Sequence, residues 1–536
     1  MGVILRYYPE EVRLNAKLYS WFDSSWYLEN HPEVRASHLS ILNHYLEVGE
    51  NLGWRPCLEF DPIWYRKEYP DVVSHNLSPF LHFISYGINE GRYPCKLTAP
   101  ALDAALWSQQ NQMNDSLEAL QTLVASDSVL ESSYACFALA RWYAWRGDWH
   151  RAADYLVARA SGKRLLPSHN GPELLLIEAL GRSDQLPEAW RALGKLQRNA
   201  PGWPDIVFAA TNLLAWQTIK VSSCELFLYS ALYDKSRVSW INNLWAGYSL
   251  GSVDLADATA PLSLDNLASG SSIPLKTDTP LLTVIMPAFN ASDTISTALT
   301  SLIQQRGVNL EVIVIDDAST DNTGPIVEQF SRSDSRIRLL RQSYNLGAYA
   351  ARNLGLREAR GDLITVHDSD DWSHPDKLVC QVDALQEHPE WQACCTHWVR
   401  CSQNLIFSRW RMEEGWVHRN VSSLMFRRRV FELLGYWDHV RAEADTEYYY
   451  RIQAAFGTNA IGEVLRGVPL TFGRSVSNSL TLVGATHLAT QFGGVRADYR
   501  SASQAWHREN AGHPLQLYLP YEPGERRFPA PKELLP

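Results

Sequence analysis

The sequence predicts an α/β domain with a mainly parallel sheet, preceded by an all-α helical-repeat region and two short N-terminal repeats. Three observations predict it. From residue 281 onward, short apolar runs alternate with amphipathic segments. Between residues 99 and 250, apolar positions recur at helical spacing, interrupted by turns marked with Gly and Pro. The first 98 residues hold one short unit written twice.

The repeats come first in the chain. "FDSSWYLENHPEVRASHLSILNHYLEVGENLGWRPC" (22–57) aligns without gaps to "FDPIWYRKEYPDVVSHNLSPFLHFISYGINEGRYPC" (60–95), with 14 identities in 36 positions at a constant offset of 38. A fixed period means a small unit that covers its apolar face with its neighbour. The adjacent Trp and Tyr of each unit (Trp26, Tyr27; Trp64, Tyr65) supply large buried area in a short segment. His44 and His82 recur too, but each is alone in its unit among apolar residues, which favours a hydrogen-bonded core histidine over a metal ligand.

Residues 99–250 read as a degenerate helical-repeat block. "WRGDWHRAADYL" is similar to the helix–turn–helix of tetratricopeptide repeats, with Gly147 at the turn and Ala152 at a close-packed position, and Pro187 opens a later helix. Such blocks are scaffolds, so a protein partner is expected here. Thirteen of the 20 Trp lie in the first 250 residues, which sets this half apart from the rest. Residues 251–280, rich in Ser, Asp, Pro and Gly, read as a linker.

The α/β domain spans 281–475. "LLTVIMPAF" is the first strand, and Ile295, Ala298, Leu299, Leu302 and Ile303 then fall on one helical face. "LEVIVIDDAS" (310–319), "IRLLRQ" (337–342) and "GDLITVHDSDD" (361–371) are further strands, separated by helices at 326–330 and 348–359. This alternation builds a Rossmann-like sheet, in which ligands bind beyond the carboxyl ends of the strands. The polar residues gather at those ends: Phe289 and Asn290, Asp316 and Asp317, and Asp368 to Asp371. After it, residues 476–536 form a helical and extended tail.

The stretch "VHDSDDWSHPDKL" concentrates carboxylates where a buried strand ends. Unpaired, Asp368 and Asp370 repel each other. A hard divalent cation relieves that repulsion, and Mg²⁺ uses only one or two carboxylates, filling its shell with phosphate oxygens and water. The expected ligand is therefore Mg²⁺ or Mn²⁺ carrying a diphosphate.

Four segments together, "TVIMPAFNASDTISTALTSLIQQ", "EVIVIDDASTDNT", "NLGAYAARNLGLREARGDLITVHDSDDWSHPDKL" and "FELLGYWDHVRAEADTEYYYRI", resemble the inverting family 2 glycosyltransferases, which have a GT-A fold. The resemblance covers about residues 281–460. It implies a nucleotide-sugar donor, with UDP favoured, and a glycan or lipid-linked acceptor. Pro287, Phe289, Asp317, Arg352 and Asp368 would face the donor, with Phe289 stacking on the base and Asp317 reading it. Asp370 and Asp368 match the DxD metal pair, Asp445 matches the catalytic base, and Asp316, Asp371, Asn353 and Glu443 would support them. Arg352 and Asn353, from a recurrent "ARN", are placed near the donor. The family carries Glu directly before the base, whereas this chain has Ala444 there and Glu443 one step earlier. The N-terminal repeats resemble modules found beside bacterial polysaccharide glycosyltransferases.

Composition removes other classes. With 46% hydrophobic and 20% charged residues the chain is an ordinary globular one, and its net charge of −10 leaves no footprint for nucleic acid. No apolar run approaches the roughly 18–20 residues that span a bilayer. The opening "MGVILRYYPEEVRLN" lacks a signal-peptide core, so the expected location is cytoplasmic, or peripheral at the inner membrane. None of the eight Cys forms a CxxC pair, which argues against zinc. A sugar-phosphate nucleotidyltransferase would carry a Gly-rich basic loop after the first strand, and "MPAFNASDT" is neither. The competing reading from another class is a catalytically degenerate scaffold. "FRRRV" (426–430) reads as a solvated face rather than an acceptor contact.

Overall fold

The computed structural model describes residues 18–75, 77–108, 113–160, 169–218, 226–269, 279–475 and 486–536. The opening "MGVILRYYPEEVRLN", a later part of the expected linker (270–278) and the end of the "VPLTFGRSVSNSLT" stretch (from 476) lie outside the described residues. The chain divides into two compact units, Met1–Ser183 and Asp184–Pro536.

In the first unit the two repeats fold alike. Asp23 and Asp61 open the helices Ser24–Asn30 and Pro62–Glu68 by accepting main-chain N–H groups, at 3.0 Å from Trp26 and 2.9 Å from Trp64. Tyr27 and Tyr65 then enter the core, and their hydroxyls bond Nδ1 of His44 and His82 at 3.1 and 3.0 Å. A Cβ at Gly49 or Gly87 would collide with those hydroxyls. The recurring Tyr, His and Gly are thus one packing device used twice. Buried Glu50 of the first repeat accepts the Phe80 N–H of the second at 2.8 Å, which joins the two. The helices Val129–Trp145 and Trp149–Ala160 follow, packed against each other across the turn at Gly147.

The helical region is divided rather than continuous. Its last helices, Leu186–Asn199, Asp205–Thr218 and Leu226–Ala246, belong to the second unit. The cause is a set of buried polar bonds to the α/β domain. The Asn212 amide exchanges two hydrogen bonds with the Phe407 main chain, at 2.7 and 2.8 Å. Trp245 donates Nε1–H to the Pro469 carbonyl at 3.1 Å and stacks with Trp372 and Phe472. The expected linker also carries structure: β1 (Val253–Leu255) pairs antiparallel with β2 (Leu267–Ser269), and the Leu264 N–H reaches the Gln403 carbonyl at 2.8 Å.

Among the described residues the main sheet has nine strands: β3 (Leu281–Ala288), β4 (Asn309–Asp316), β5 (Ile337–Arg341), β6 (Leu363–Val366), β7 (Trp372–Ser373), β8 (Ala393–Cys401), β9 (His418–Arg427), β10 (Ile461–Glu463) and β11 (Pro469–Arg474). Their order is β5-β4-β3-β6-β9-β8-β11-β7, with β10 beside β8. The β5-β4-β3-β6 part is parallel, β9 runs against β6 and β8, and β11 lies parallel to β8 and antiparallel to β7. Strands β3 and β4 read as continuous apolar runs because both faces are covered. Gly355 allows that cover: a Cβ there would stand 2.5 Å from Ile285 and 2.7 Å from Ile315, so only glycine lets the helix Ala348–Glu358 lie this close to the sheet.

Strand β3 has β4 on one side and β6 on the other, so chain connections lead away from it in both directions. Its pairing with β6 ends at Ile285↔Val366, and Pro287, two residues on, has no N–H to extend the ladder. The strands part there, at the switch point where such sheets bind ligands. The basic run lies at the opposite end of β6. Arg427 donates to the Leu385, His388 and Trp391 carbonyls and Arg428 to those of Ala359 and Gly361, so these two close helix C-termini.

Candidate active site

The crevice is built from strand ends. Phe289 follows β3 and is 49% exposed. Asp316, the last residue of β4, accepts the Ser319 N–H at 2.9 Å and has Arg341 at 3.9 Å, so it holds the turn. Asp317 is 2% exposed and accepts the amides of Leu346 and Gly347, both at 2.8 Å. Burial raises its pKa and those two amides oppose the rise. It therefore ties the β4 end to the loop that precedes the helix Ala348–Glu358.

The acidic stretch follows β6. Asp368 pairs with Arg352 at 2.7 Å; burial works against its charge, but the guanidinium prevails and holds the carboxyl below the usual range. Asp371 is buried and accepts the Arg474 N–H at 3.1 Å, fastening the stretch to β11, and burial followed by the Asp370 and Asp368 charges raises its pKa strongly. The Asp370 carboxylate has no side-chain hydrogen bond or ion pair among the described residues. Burial and then the Asp368 charge push it up to about 6. Beneath the stretch lies buried Lys377, lowered to about 8 by burial, with its Nζ 3.2 Å from Ser373 Oγ.

Arg352 links the stretch to the far side of the crevice. Its guanidinium lies over the Tyr349 ring at 5.1 Å, and the Tyr349 hydroxyl donates to Asp445 Oδ1 at 2.9 Å. Asp445 sits in the first turn of the helix Ala444–Phe456, where Oδ1 also accepts its neighbour Thr446 N–H at 2.8 Å and Oδ2 faces Ser422 Oγ at 3.5 Å. The structure thus brings Asp368 and Asp445, 77 positions apart in the sequence, into one connected cluster.

Comparison with known proteins gives the family of this part of the chain. Residues 283–442 match the model of the glycosyl transferase family 2. The α/β domain belongs to glycosyltransferase family 2. Among similar sequences, an uncharacterized glycosyltransferase of Haemophilus influenzae is 42% identical over 110 residues, 20% of this chain and 44% of that one. An Escherichia coli enzyme, the UDP-Glc:alpha-D-GlcNAc-diphosphoundecaprenol beta-1,3-glucosyltransferase WfgD, is 44% identical over 105 residues, 20% of this chain and 41% of its own. The succinoglycan biosynthesis protein ExoO of Rhizobium meliloti is 43% identical over 99 residues, 18% of this chain and 28% of its own. The chain spans less than half the length of these relatives.

Within the family 2 domain, several supporting residues differ in role from their expected place. Asn353 is fully buried, and its amide exchanges two 2.9 Å bonds with the Trp437 main chain, so it braces the helix from behind rather than facing the donor side. Glu443 is also turned away from the crevice, paired with Arg496 and Arg500. Its φ of +76° is a left-handed conformation that costs a non-glycine residue about 1–3 kcal/mol. Sequence reasoning missed Tyr349, although it lies one helical turn before Arg352 on the same face. It also missed Arg474, which donates Nε–H to the Asp370 carbonyl at 3.1 Å and pairs with Asp265 from the expected linker.

The residues at the acidic stretch fit a divalent cation. No cluster of three or more His, Cys, Asp or Glu suited to a metal occurs among the described residues. An all-protein cage is unnecessary for Mg²⁺, which takes one or two carboxylates and completes its shell from phosphate and water. Asp370, unpaired and repelled by Asp368, offers the oxygen such an ion would use.

Proposed function

We propose that this chain is an inverting glycosyltransferase that moves a sugar from a nucleoside diphosphate, UDP by preference, onto a hydroxyl of a glycan or lipid-linked acceptor. The observation that carries the reading is the chain of contacts Asp368–Arg352–Tyr349–Asp445, which sets the residue pair expected at the donor beside the expected base. Phe289 stacks on the nucleobase, next to Asp317. Asp370, with Asp368, would hold Mg²⁺ or Mn²⁺, which when bound would neutralise charge on the leaving diphosphate. Asp445 takes the proton from the acceptor hydroxyl as that oxygen attacks the anomeric carbon and the C–O bond to the diphosphate breaks on the opposite face. Oδ1 is already committed to Tyr349 and Thr446, so Oδ2 receives the proton. A single displacement inverts the anomeric configuration. A role in bacterial surface-polysaccharide synthesis is supported by the likeness to WfgD and to the succinoglycan biosynthesis protein ExoO. A cytoplasmic or inner-membrane-peripheral location accords with that role. No helix among the described residues is long and apolar enough to cross a membrane.

The test is a panel of sugar nucleotides with Mn²⁺ or Mg²⁺, scored by release of the nucleoside diphosphate and by thermal shift. Metal-dependent release from at least one donor is expected. If no donor is cleaved and none shifts the melting temperature, the degenerate-scaffold reading replaces this one; Ala444, in the position where the family carries Glu, is the feature that favours it.

A further inference from the structure

The turn just before Asp445 is held from outside the residues that match the family, which end at 442. Glu443 adopts φ +76° and is 5% exposed. Each of its carboxylate oxygens is taken by a different arginine of the C-terminal helix Val495–Glu509: Arg496 Nη1 lies 2.6 Å from Oε1 and Arg500 Nη2 lies 2.9 Å from Oε2. Arg496 is itself anchored through Nε to the Thr486 carbonyl at 2.7 Å. Further along the same helix, His507 Nε2 meets Glu447 Oε1 at 2.8 Å, and Arg451 braces Glu447 at 2.9 Å. The Glu443 carbonyl accepts the Glu447 N–H at 2.8 Å and so closes the first helical turn, in which Asp445 lies. The glutamates two positions before and two after Asp445 are both tied to the C-terminal helix, while Asp445 alone joins the crevice cluster.

We propose that Arg496 and Arg500 are positioning residues for Asp445: by gripping Glu443 they hold the left-handed turn that sets where the Asp445 carboxylate points. Glu443, with both oxygens engaged, is a brace and not an acceptor-binding group. The inference rests on the transferase reading for what Asp445 does, but not for what holds it. Glycine is the residue that takes such a φ readily; glutamate keeps it here because two cations pull its side chain toward the C-terminal helix. Released from them, the turn can relax toward ordinary backbone and Asp445 rotates with it.

The test uses the full chain with Arg500→Gln, Arg496→Gln and Arg500→Lys. Hydrogen exchange is followed in peptides covering 443–449 and, as control, 346–352. UDP release is measured from UDP-glucose, UDP-N-acetylglucosamine and UDP-galactose, each with Mn²⁺. Arg500→Gln should speed exchange at 443–449 by about 10-fold while 346–352 stays unchanged. It should also lower kcat by about 10-fold to 100-fold at unchanged KM, the scale expected when a reacting group is displaced. Arg500→Lys should recover part of both. Arg500 is the primary site because its side chain is 32% exposed, so a folded variant is expected even if Arg496→Gln folds poorly. Unchanged exchange at 443–449 overturns the inference. So does faster exchange with unchanged kcat, or a loss confined to KM. Absence of release by the unsubstituted chain would count against the transferase reading, and the exchange arm would then decide the clamp alone.

Discussion

At one end of the crevice, Asp316 and Asp317 are held by main-chain amides, those of Ser319, Leu346 and Gly347. At the other end, Asp445 is held by the Tyr349 hydroxyl, and its turn by the guanidinium groups of Arg496 and Arg500. At the proposed donor end these two carboxylates are therefore held by the backbone of a strand–loop–helix unit, while Asp368 is paired to a side chain, that of Arg352. The proposed base end depends on particular side chains brought from 96, 53 and 57 positions away. Variation should be tolerated around the donor end and punished around the base end, apart from the reacting carboxylates themselves.

The largest expected effect separates the two ends. Asp445→Asn keeps the Tyr349 and Thr446 contacts in shape but removes the proposed proton acceptor. Turnover should fall about 10²–10⁴-fold with the nucleotide affinity unchanged. Retained turnover would dissolve the base end as a functional region. Asp370→Ala should do the converse. UDP with Mn²⁺ at one hundred times Kd stabilises a binding-competent chain by about 2.7 kcal/mol, and that stabilisation should vanish in a thermal-shift measurement. A variant that still shows it places the cation elsewhere.

A carboxylate outside the crevice tests whether a main-chain grip behaves alike wherever it occurs. Asp205 is buried in the second unit, and its Oδ1 accepts the Trp416 and Val417 amides at 2.6 and 3.0 Å. Burial lifts its carboxyl to about 7, against the pull of those amides and the Arg409 charge. Unfolded, it titrates near about 3.9. Because the folded pKa is the higher one, the folded state binds the extra proton. The stability from this site is full below about pH 4 and is lost as pH rises toward 7. Between pH 5 and 8 the unsubstituted chain should lose about 2–3 kcal/mol more than Asp205→Asn, whose amide oxygen still accepts both N–H groups. Urea midpoints at the two pH values read this out, and equal losses in the two chains would mean that Asp205 does not titrate in this window.

The same contrast explains what could be read from the chain beforehand. Strands β3, β4 and β6, the helices between them and the placement of Phe289, Asp317, Asp368 and Asp370 follow from periodicity and from residues that lie next to their strands. The Tyr–His–Gly device of the repeats was visible as a period of 38. The division of the helical region at residue 183 was not, because it depends on which faces find partners: Asn212 and Trp245 resemble any other helical residues until the loops at Phe407 and Pro469 meet them. Asp265 and Arg474 escaped for the same reason, one lying in a stretch that composition alone marks as linker. Ala444 signalled that something near the base had changed, but nothing local says that Arg496 and Arg500 take up Glu443.

Tyr349→Phe is the mildest change and the sharpest on the boundary between the two ends, since Tyr349 touches both. Its ring lies under Arg352, which pairs with Asp368, while its hydroxyl serves Asp445. Burial, and then the Asp445 charge, raise the phenol well above its ordinary pKa, so it remains a hydrogen-bond donor throughout the working pH range. Phenylalanine keeps the ring beneath Arg352 and the packing against the core, and Asp445 keeps the Thr446 N–H. What is lost is one hydrogen bond to a charged group, about 1.5–3 kcal/mol at most, so kcat should fall about 10-fold with the donor KM unchanged. A rise in KM at constant kcat would instead show that Tyr349 acts through Arg352 and Asp368. The base end would then hold Asp445 by its own turn alone, and the weight of positioning would shift to the C-terminal helix.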